Sequence, residues 1–359
     1  MKNKCFMTKK LTAGLLCLIL LLSCTGCGTA IPGLTDDIPT SSAGKDIQKA
    51  VGADNVFSLN SNSRYSFNPL VATNHSNQLI CSLVYEYLLE VDNDFNLVTL
   101  AQDEDEEEAN GVRYAGLMES YTVSDDGKSW TIKVKTDHKF HDGTSVTPND
   151  IRLSIENAIN SDRYQGRFGI VNGVSYTEDS IFISLSQGNK RFIKLLNIPI
   201  IKHGTYSEKY PIGSGPYTYN EDHTELIAFK GENGFENFPV DTIYIKEYTS
   251  QDEIIAAYEN SYIDLVVNDP TSLTDLGYAS TNEIRQMSTT NMHYVAFNET
   301  SLLGKYNSFR VAMQYAFDRN YLANDMLQGN GVAAAMPIYP THKDYPTQYA
   351  AGLSYDLTK

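Results

Sequence analysis

The sequence predicts a mixed α/β protein, and three observations lead there. Strand-like segments with a two-residue apolar period alternate with helical stripes along the whole body, with neither class segregated. Several helices are announced by side-chain caps and one hairpin by its turn. The body that follows an amino-terminal leader and tether is just over 300 residues long, enough for two domains or one two-lobed protein.

The leader comes first. Lys2, Lys4, Lys9 and Lys10 precede an apolar run over residues 11–22, the length of a signal-peptide core and too short for a membrane span. The run ends in Ser23-Cys24-Thr25-Gly26-Cys27-Gly28, which resembles a bacterial lipobox. Two lipidation candidates compete: Cys24 has Leu21 at the usual hydrophobic position, and Cys27 has glycine on both sides. Residues 1–26 are therefore expected to be a lipoprotein signal peptide. Residues 27–48, rich in Gly, Pro, Ser, Thr and Asp, are expected to form a flexible tether.

Charge and cysteine count narrow the function. The net charge is −16. Without the four leader lysines, 24 basic side chains face 44 acidic ones. Such a chain, lacking basic clusters, is not expected to bind nucleic acid. Only Cys81 of the five cysteines lies in the body, so no internal disulfide framework can form. The 24 tyrosines suit a ligand groove and an ordinary core equally well.

Residues 77–89 place Leu79, Ile80, Leu83, Tyr87 and Leu88 on one helical stripe, with Ser76 as N-cap. Asp103 to Glu108 is an acidic run expected in a solvated loop. Residues 121–135 read as a hairpin turning at Ser124-Asp125-Asp126-Gly127, with Trp130, Ile132 and Val134 alternating beyond. Thr147-Pro148-Asn149-Asp150 opens a helix that buries Ile151, Ile155, Ala158 and Ile159. Residues 181–185 form a strand, and Gly213-Ser214-Gly215-Pro216 breaks the chain before Tyr217. A strand at Ile243-Tyr244-Ile245 leads to a capping box, Ser250 with Glu253, and a helix carrying Ile254, Ile255 and Tyr258. Residues 293–298 read as a strand. Ser308 opens a helix to Phe317 with Phe309, Ala312, Tyr315 and Ala316 inward, and Asp318 caps another that ends at Gly329.

Catalytic and metal motifs fail on context. Gly329-Asn330-Gly331 follows a helix instead of a strand, so it reads as a helix end and not a dinucleotide loop. Asp92-x-Asp94-x-Asn96 begins like a calcium loop, but Leu97 stands where glycine is required. His138 and His141 have no third ligand nearby and read as packing or surface residues. No nucleophile elbow or zinc-protease motif occurs, so no catalytic residue, metal ligand or cofactor is expected, and the chain is read as not an enzyme.

Four segments, in order, carry a family resemblance. They are Phe67-Asn68-Pro69 with the helix through Leu83-Val84-Tyr85-Glu86-Tyr87-Leu88-Leu89, and the run from Tyr121 through Trp130 to Lys139-Phe140-His141-Asp142-Gly143-Thr144 and Asp150. Gly213-Ser214-Gly215-Pro216-Tyr217 is the third, and Tyr294-Val295-Ala296-Phe297-Asn298 with Phe309-Arg310 through Asp318-Arg319 is the fourth. Together they resemble the family 5 extracellular solute-binding proteins of oligopeptide, dipeptide and nickel importers. The resemblance implies a two-lobed, class II periplasmic-binding-protein-like fold. Lobe I spans residues 49–283, with an inserted subdomain over about 90–190, and 284–359 begins a second lobe that is incomplete here. It also implies capture of a peptide or other small solute between the lobes and delivery to ABC permease subunits. The protein would be a monomer, lipid-anchored on the extracytoplasmic face of a bacterial membrane. Ser66, Phe67, Asn68, Ser214, Tyr294, Phe297 and Asn298 lie where the family's cleft and hinge would be and are the candidate ligand contacts. A peptide-sensing receptor and a truncated, non-binding fragment are the alternatives. Nickel or haem remains open as ligand, and a secreted hydrolase rests on location alone.

Overall fold

Backbone pairing sorts the strands into two four-stranded sheets. The structure is a computed structural model that describes residues 56–92, 95–100, 114–233, 235–236, 238–269, 271, 289 and 291–359. The leader with Cys24 and Cys27, the tether and the acidic run at 103–108 lie outside the described residues.

The first sheet is built from β1 (Val56–Ser61), β6 (Tyr217–Tyr219), β7 (Glu225–Ala228) and β8 (Thr242–Glu247), in the order β1-β8-β7-β6. β1 and β8 are parallel, in register from Val56 opposite Thr242 to Ser61 opposite Glu247. β8 continues into helix α3 (Gln251–Glu259), capped reciprocally as expected: Ser250 Oγ accepts from Glu253 N, and Glu253 Oε2 accepts from Ser250 N. It buries Ala256 and Ala257, while Ile254, Ile255 and Tyr258 are only half-buried. After α3 the chain returns along the other edge of β1. Asp264 N donates to Ser58 O at 2.9 Å, and Leu59 bridges Leu265 in parallel. A parallel return needs a crossover of this length, which α3 supplies.

The second sheet, wholly antiparallel, has the order β2-β3-β5-β4. Its strands are β2 (Met118–Val123), β3 (Ser129–Val134), β4 (Val171–Tyr176) and β5 (Ser180–Leu185). The β2–β3 turn is the one expected, closed by Gly127 N on Ser124 O at 2.9 Å. Gly127 has φ +70°, which a β-carbon would strain. Trp130 lies opposite Ile183 and Ile132 opposite Ile181, so their side chains share one buried face. Helix α2 (Pro148–Asn160) packs beside β4 and β5 and buries Ile151, Ile155 and Ala158; Ile159 is half-buried. Thr147 and Asp150 cap it in both directions.

Helix α1 (His75–Val84) lies against β1 and β6 and corrects two expectations. Its N-cap is Asn74, whose side chain accepts from Asn77 N, and not Ser76. It ends at Val84 because the next residues serve a sheet-like exchange. Tyr87 O and Leu88 O accept from Leu117 N and Met118 N, and Leu88 N donates to Ile198 O. Leu88 is buried, but as extended chain.

Residues 291–359 carry two further labelled helices, α4 (Asn307–Ala316) and α5 (Thr347–Ala351). The strand expected over 293–298 is absent, because no described residue offers these residues a ladder; Tyr294 and Val295 are exposed. No α4 residue is fully buried: Phe309 and Tyr315 are half-buried, and Ala312 and Ala316 are exposed, contrary to the inward face expected. Asp318 does cap a helical turn, Arg319–Tyr321, accepting from Tyr321 N at 3.0 Å. That turn widens into a π-helical turn, Leu322–Met326, and Gly329 N closes the end on Ala323 O. Among the described residues, no helix is long and apolar enough to cross a membrane.

Candidate functional site

Three parallel stretches (β1, β8 and residues 263–265) end at one edge of the first sheet, with β1 in the middle. In open α/β sheets, ligands bind beyond the carboxyl ends of parallel strands, where successive connections part. The loop after β1 is positioned there by a single buried residue. Asn77, wholly buried in α1, accepts from Asn62 N at 3.0 Å and donates to Asn62 O at 2.9 Å. The same amide lies 3.3 Å from the carbonyls of Tyr65 and Ser66. Asn62 Oδ1 then accepts from Arg64 N at 3.1 Å. Backbone groups of Asn62, Arg64, Tyr65 and Ser66 are thus bound from within, and Ser63, Arg64 and Tyr65 face solvent.

The neighbouring strand ends are tied to this loop. Ser63 Oγ donates to the Glu247 carboxylate at the end of β8, and Tyr248 N donates to Ser61 O. Asn60 donates to Ser76 Oγ at 3.1 Å, whereas Asn60 Oδ1 and Ser58 Oγ are buried without a hydrogen-bond partner among the described residues. Asp264 accepts from Ser58 N at 2.7 Å; burial pushes its carboxyl above the ordinary range, and that hydrogen bond offsets part of the rise. Asp269 is shifted the other way. The Thr271 hydroxyl lowers it most, burial opposes, and Thr271 N, His75 and His293 lower it further. Thr271 Oγ1, donating to Asp269 at 2.7 Å, also lies 3.2 Å from His293 Nε2.

The residues singled out from sequence fall into three places. Ser66, Phe67 and Asn68 continue the braced loop. Ser66 Oγ accepts from Asn68 N, Phe67 is buried against Tyr210 with ring centroids 4.8 Å apart, and Asn68 donates to Tyr206 O at 2.7 Å. Ser214 lies at the other end of α1, wholly buried, with its hydroxyl unpartnered among the described residues. Its turn fits only because Gly215 lacks a side chain, since a β-carbon would stand 2.6 Å from Val84 C. Tyr294, Phe297 and Asn298 sit in the extended stretch after His293. Tyr294 is 74% exposed, Phe297 meets Phe309 edge-on at 5.9 Å, and Asn298 accepts from Thr300 N and Oγ1. Asn291, Met292, His293 and Tyr294 line an open concavity of about 490 Å³. The structure therefore brings the 66–68 loop beside the strand ends, links Tyr294 to that edge, among the described residues, through His293 and Thr271, and leaves Ser214 apart.

Sequence reasoning missed Asn77 and Arg64. The signal for Asn77 was present: Asn77, Ile80, Cys81 and Val84 share the buried face of α1, and a polar residue on such a stripe must find partners inside. Arg64 carries no pattern of its own.

The histidine pair behaves as packing residues. His138 Nδ1 lies 3.1 Å from Glu86, and His141 Nε2 lies 2.9 Å from Gly215 O. Burial pushes His141 down to about 4, against the Gly215 carbonyl and Asp142. Among the described residues no cluster of three His, Cys, Asp or Glu side chains could hold a metal ion. Cys81 donates to Phe67 O at 3.1 Å, and burial pushes its thiol up to about 12, unsuited to nucleophilic work. A half-open cleft of about 890 Å³ near the carboxyl end of α1 is lined by Glu86, Tyr87, Lys135, His138, Asn233 and Phe235, among others.

Residues 113–359 match the family model of the bacterial extracellular solute-binding proteins, family 5, in its middle part. The oligopeptide-binding protein AppA of Bacillus subtilis (strain 168) is 23% identical over 304 residues, covering 78% of this chain and 53% of its own. The glutathione-binding protein GsiB of Salmonella paratyphi A is 23% identical over 319 residues, covering 83% and 57%. The solved structure of NikZ from Campylobacter jejuni in complex with Ni(L-His) superposes with a TM-score of 0.57 at 20% identity, covering 84% of this chain and 62% of that one. The chain spans little more than half the length of these curated relatives. The likeness shows the fold, mixed α/β of the two-lobed binding-protein class.

Proposed function

Because the chain belongs to the bacterial extracellular solute-binding proteins, family 5, we propose that it is the capture component of an ABC importer, taking up peptides outside the cytoplasm and delivering them to a permease. The family consists of binding proteins and not enzymes. The observation that favours binding at the strand ends is the 62–66 loop, whose backbone is held by Asn77 while three side chains stay open to solvent. A site formed before its ligand arrives loses less entropy on binding. In this reading residues 49–283 form one lobe and 284–359 begin the other, with the solute between the 62–68 loop and the 294–298 stretch. Ser214 acts by packing the base of the first lobe. A diacylglyceryl group on Cys24 or Cys27, joined to the body by the tether, holds the protein on the membrane. Peptides are the favoured solute because the extended 294–298 stretch can offer backbone hydrogen bonds that tolerate many side chains.

The test is thermal unfolding of the detergent-extracted native protein with and without a tryptic peptide mixture. A solute at a hundred times its dissociation constant adds about 2.7 kcal/mol, enough to raise the midpoint by a few degrees. No shift with peptides would end the peptide reading. Intact mass of the same sample decides the anchor, since lipid on Cys24 and lipid on Cys27 leave chains three residues apart in length.

A further inference from the structure

Arg64 stands out among the arginines of the described residues. The six other described arginines each have a partner for the guanidinium. Arg152 meets Asn149 and Glu156, Arg163 the carbonyls of Pro69 and Ala72, and Arg167 the carbonyl of Asn197. Arg191 lies near Asp344, Arg310 donates to Gly304 O, and Arg319 to the carbonyls of Leu353 and Gln314. The Arg64 guanidinium has no hydrogen-bond or ion-pair partner among the described residues, although acidic side chains in the whole chain number 44 against 28 basic ones. Two carboxylates of the neighbouring strand and helix make other contacts. Glu253, which feels the Arg64 charge, is occupied by the backbone of Thr249 and Ser250 at the start of α3, and Glu247 takes the Ser63 hydroxyl.

The backbone beneath Arg64 is fixed. Its N–H is bound by Asn62, and Asn62 is bound twice by Asn77. A planar fork of five donors, always charged, is therefore held at the carboxyl ends of β1 and β8 with its head free. Lys246, the other cation on the end of β8, lies 5.0 Å over the Tyr244 ring, and burial lowers its pKa, so it is the weaker competitor. An anionic solute approaching so acidic a protein is repelled almost everywhere, and a free guanidinium at the strand ends reverses that locally.

Resting on the solute-binding reading above, we propose that Arg64 is the specificity residue that fixes a carboxylate of the bound solute by a bidentate hydrogen bond. The carboxylate is either a peptide's carboxyl terminus or an acidic side chain; the chemistry at the guanidinium is the same.

Equilibrium dialysis of the full-length protein separates these sources. Three random tetrapeptide libraries serve as probes: free-acid peptides without Asp or Glu, the same peptides carboxyl-amidated, and amidated peptides containing Asp and Glu. Wild type is expected to retain at least one carboxylate-bearing library about ten to a hundred times better than the carboxylate-free one, the range of a charge-assisted pair. Arg64→Gln should bring that library down to the carboxylate-free level, and Arg64→Lys should recover part of the difference. Because the side chain is exposed, both variants should unfold at the wild-type temperature. Equal loss across all three libraries, or no loss in any, would overturn the carboxylate role while leaving solute binding intact. Retention of no library by wild type would remove the underlying peptide-binding reading, and this inference with it.

Discussion

Residues 56–269 and residues 291–359 use the same local signals and reach different ends. Helices α2 and α4 are both amphipathic in sequence, with apolar residues three and four apart. α2 buries Ile151, Ile155 and Ala158 beside β4 and β5, while α4 buries nothing fully. Over 291–359 only Gly304, Ala323 and Ala350 are buried, and Tyr294, Leu302, Met326, Val332, Tyr349 and Leu357 are each more than half exposed. An apolar stripe states which face a helix can bury. A neighbouring element decides whether it is buried.

Matched truncations measure that difference, and they carry the largest expected effect. Ile155→Ala removes a side chain with no exposure and should cost about 2–5 kcal/mol in urea unfolding. Val311→Ala removes a side chain that is 44% exposed and should stay within about 0.5 kcal/mol. Equal losses would break the comparison, because α4 would then be packed against something in solution.

The next effect is pH dependence in the first region. His141 is held neutral by burial, beside Phe229 at 5.0 Å, with its pKa lowered from 6.5 to about 4. The unfolded chain binds the proton first, so this contribution is complete above pH 6.5 and is lost as pH falls from 6.5 towards 4. The full loss is at most about 3 kcal/mol. His141→Gln can still donate to Gly215 O, and it should flatten the stability profile over that window. An unchanged slope between wild type and variant would place the acid sensitivity elsewhere.

Much of the fold was legible in the sequence because its signals are local. The Ser124–Gly127 turn, the Thr147 and Ser250 caps and the strands around Ile132 and Ile181 each need only a few adjacent residues, and each formed as read. The misses share one cause, which is dependence on distant chain. α1 stops at Val84 because Leu117, Met118 and Ile198 claim the backbone of Tyr87 and Leu88. The 293–298 strand had the right composition and no described partner. At the candidate site, Phe67, Asn68 and Ser214 stood out as motif residues, and the structure shows their side chains turned inward. Arg64 sits on a loop without a periodic pattern, and its place at the strand ends follows from how β1, β8 and residues 263–265 come together.

Caps offer the smallest effect and the finest test, because a cap acts through hydrogen bonds within one turn and needs no tertiary partner. Thr147→Ala and Asp318→Ala should each remove about 1 kcal/mol of local stability, one from α2 and the other from the turn at Arg319–Tyr321. The losses should be read out differently. α2 is anchored in the core, so Thr147→Ala should shift the global unfolding midpoint. In the Asp318 turn Asn320, Tyr321 and Leu322 are exposed, so Asp318→Ala should speed amide hydrogen exchange over residues 321–327 several-fold and leave the global midpoint where it was. A midpoint shift from Asp318→Ala as large as that from Thr147→Ala would mean that residues 291–359 unfold together with the two sheets. Their exposed apolar faces would then be no measure of how firmly they are joined to the rest.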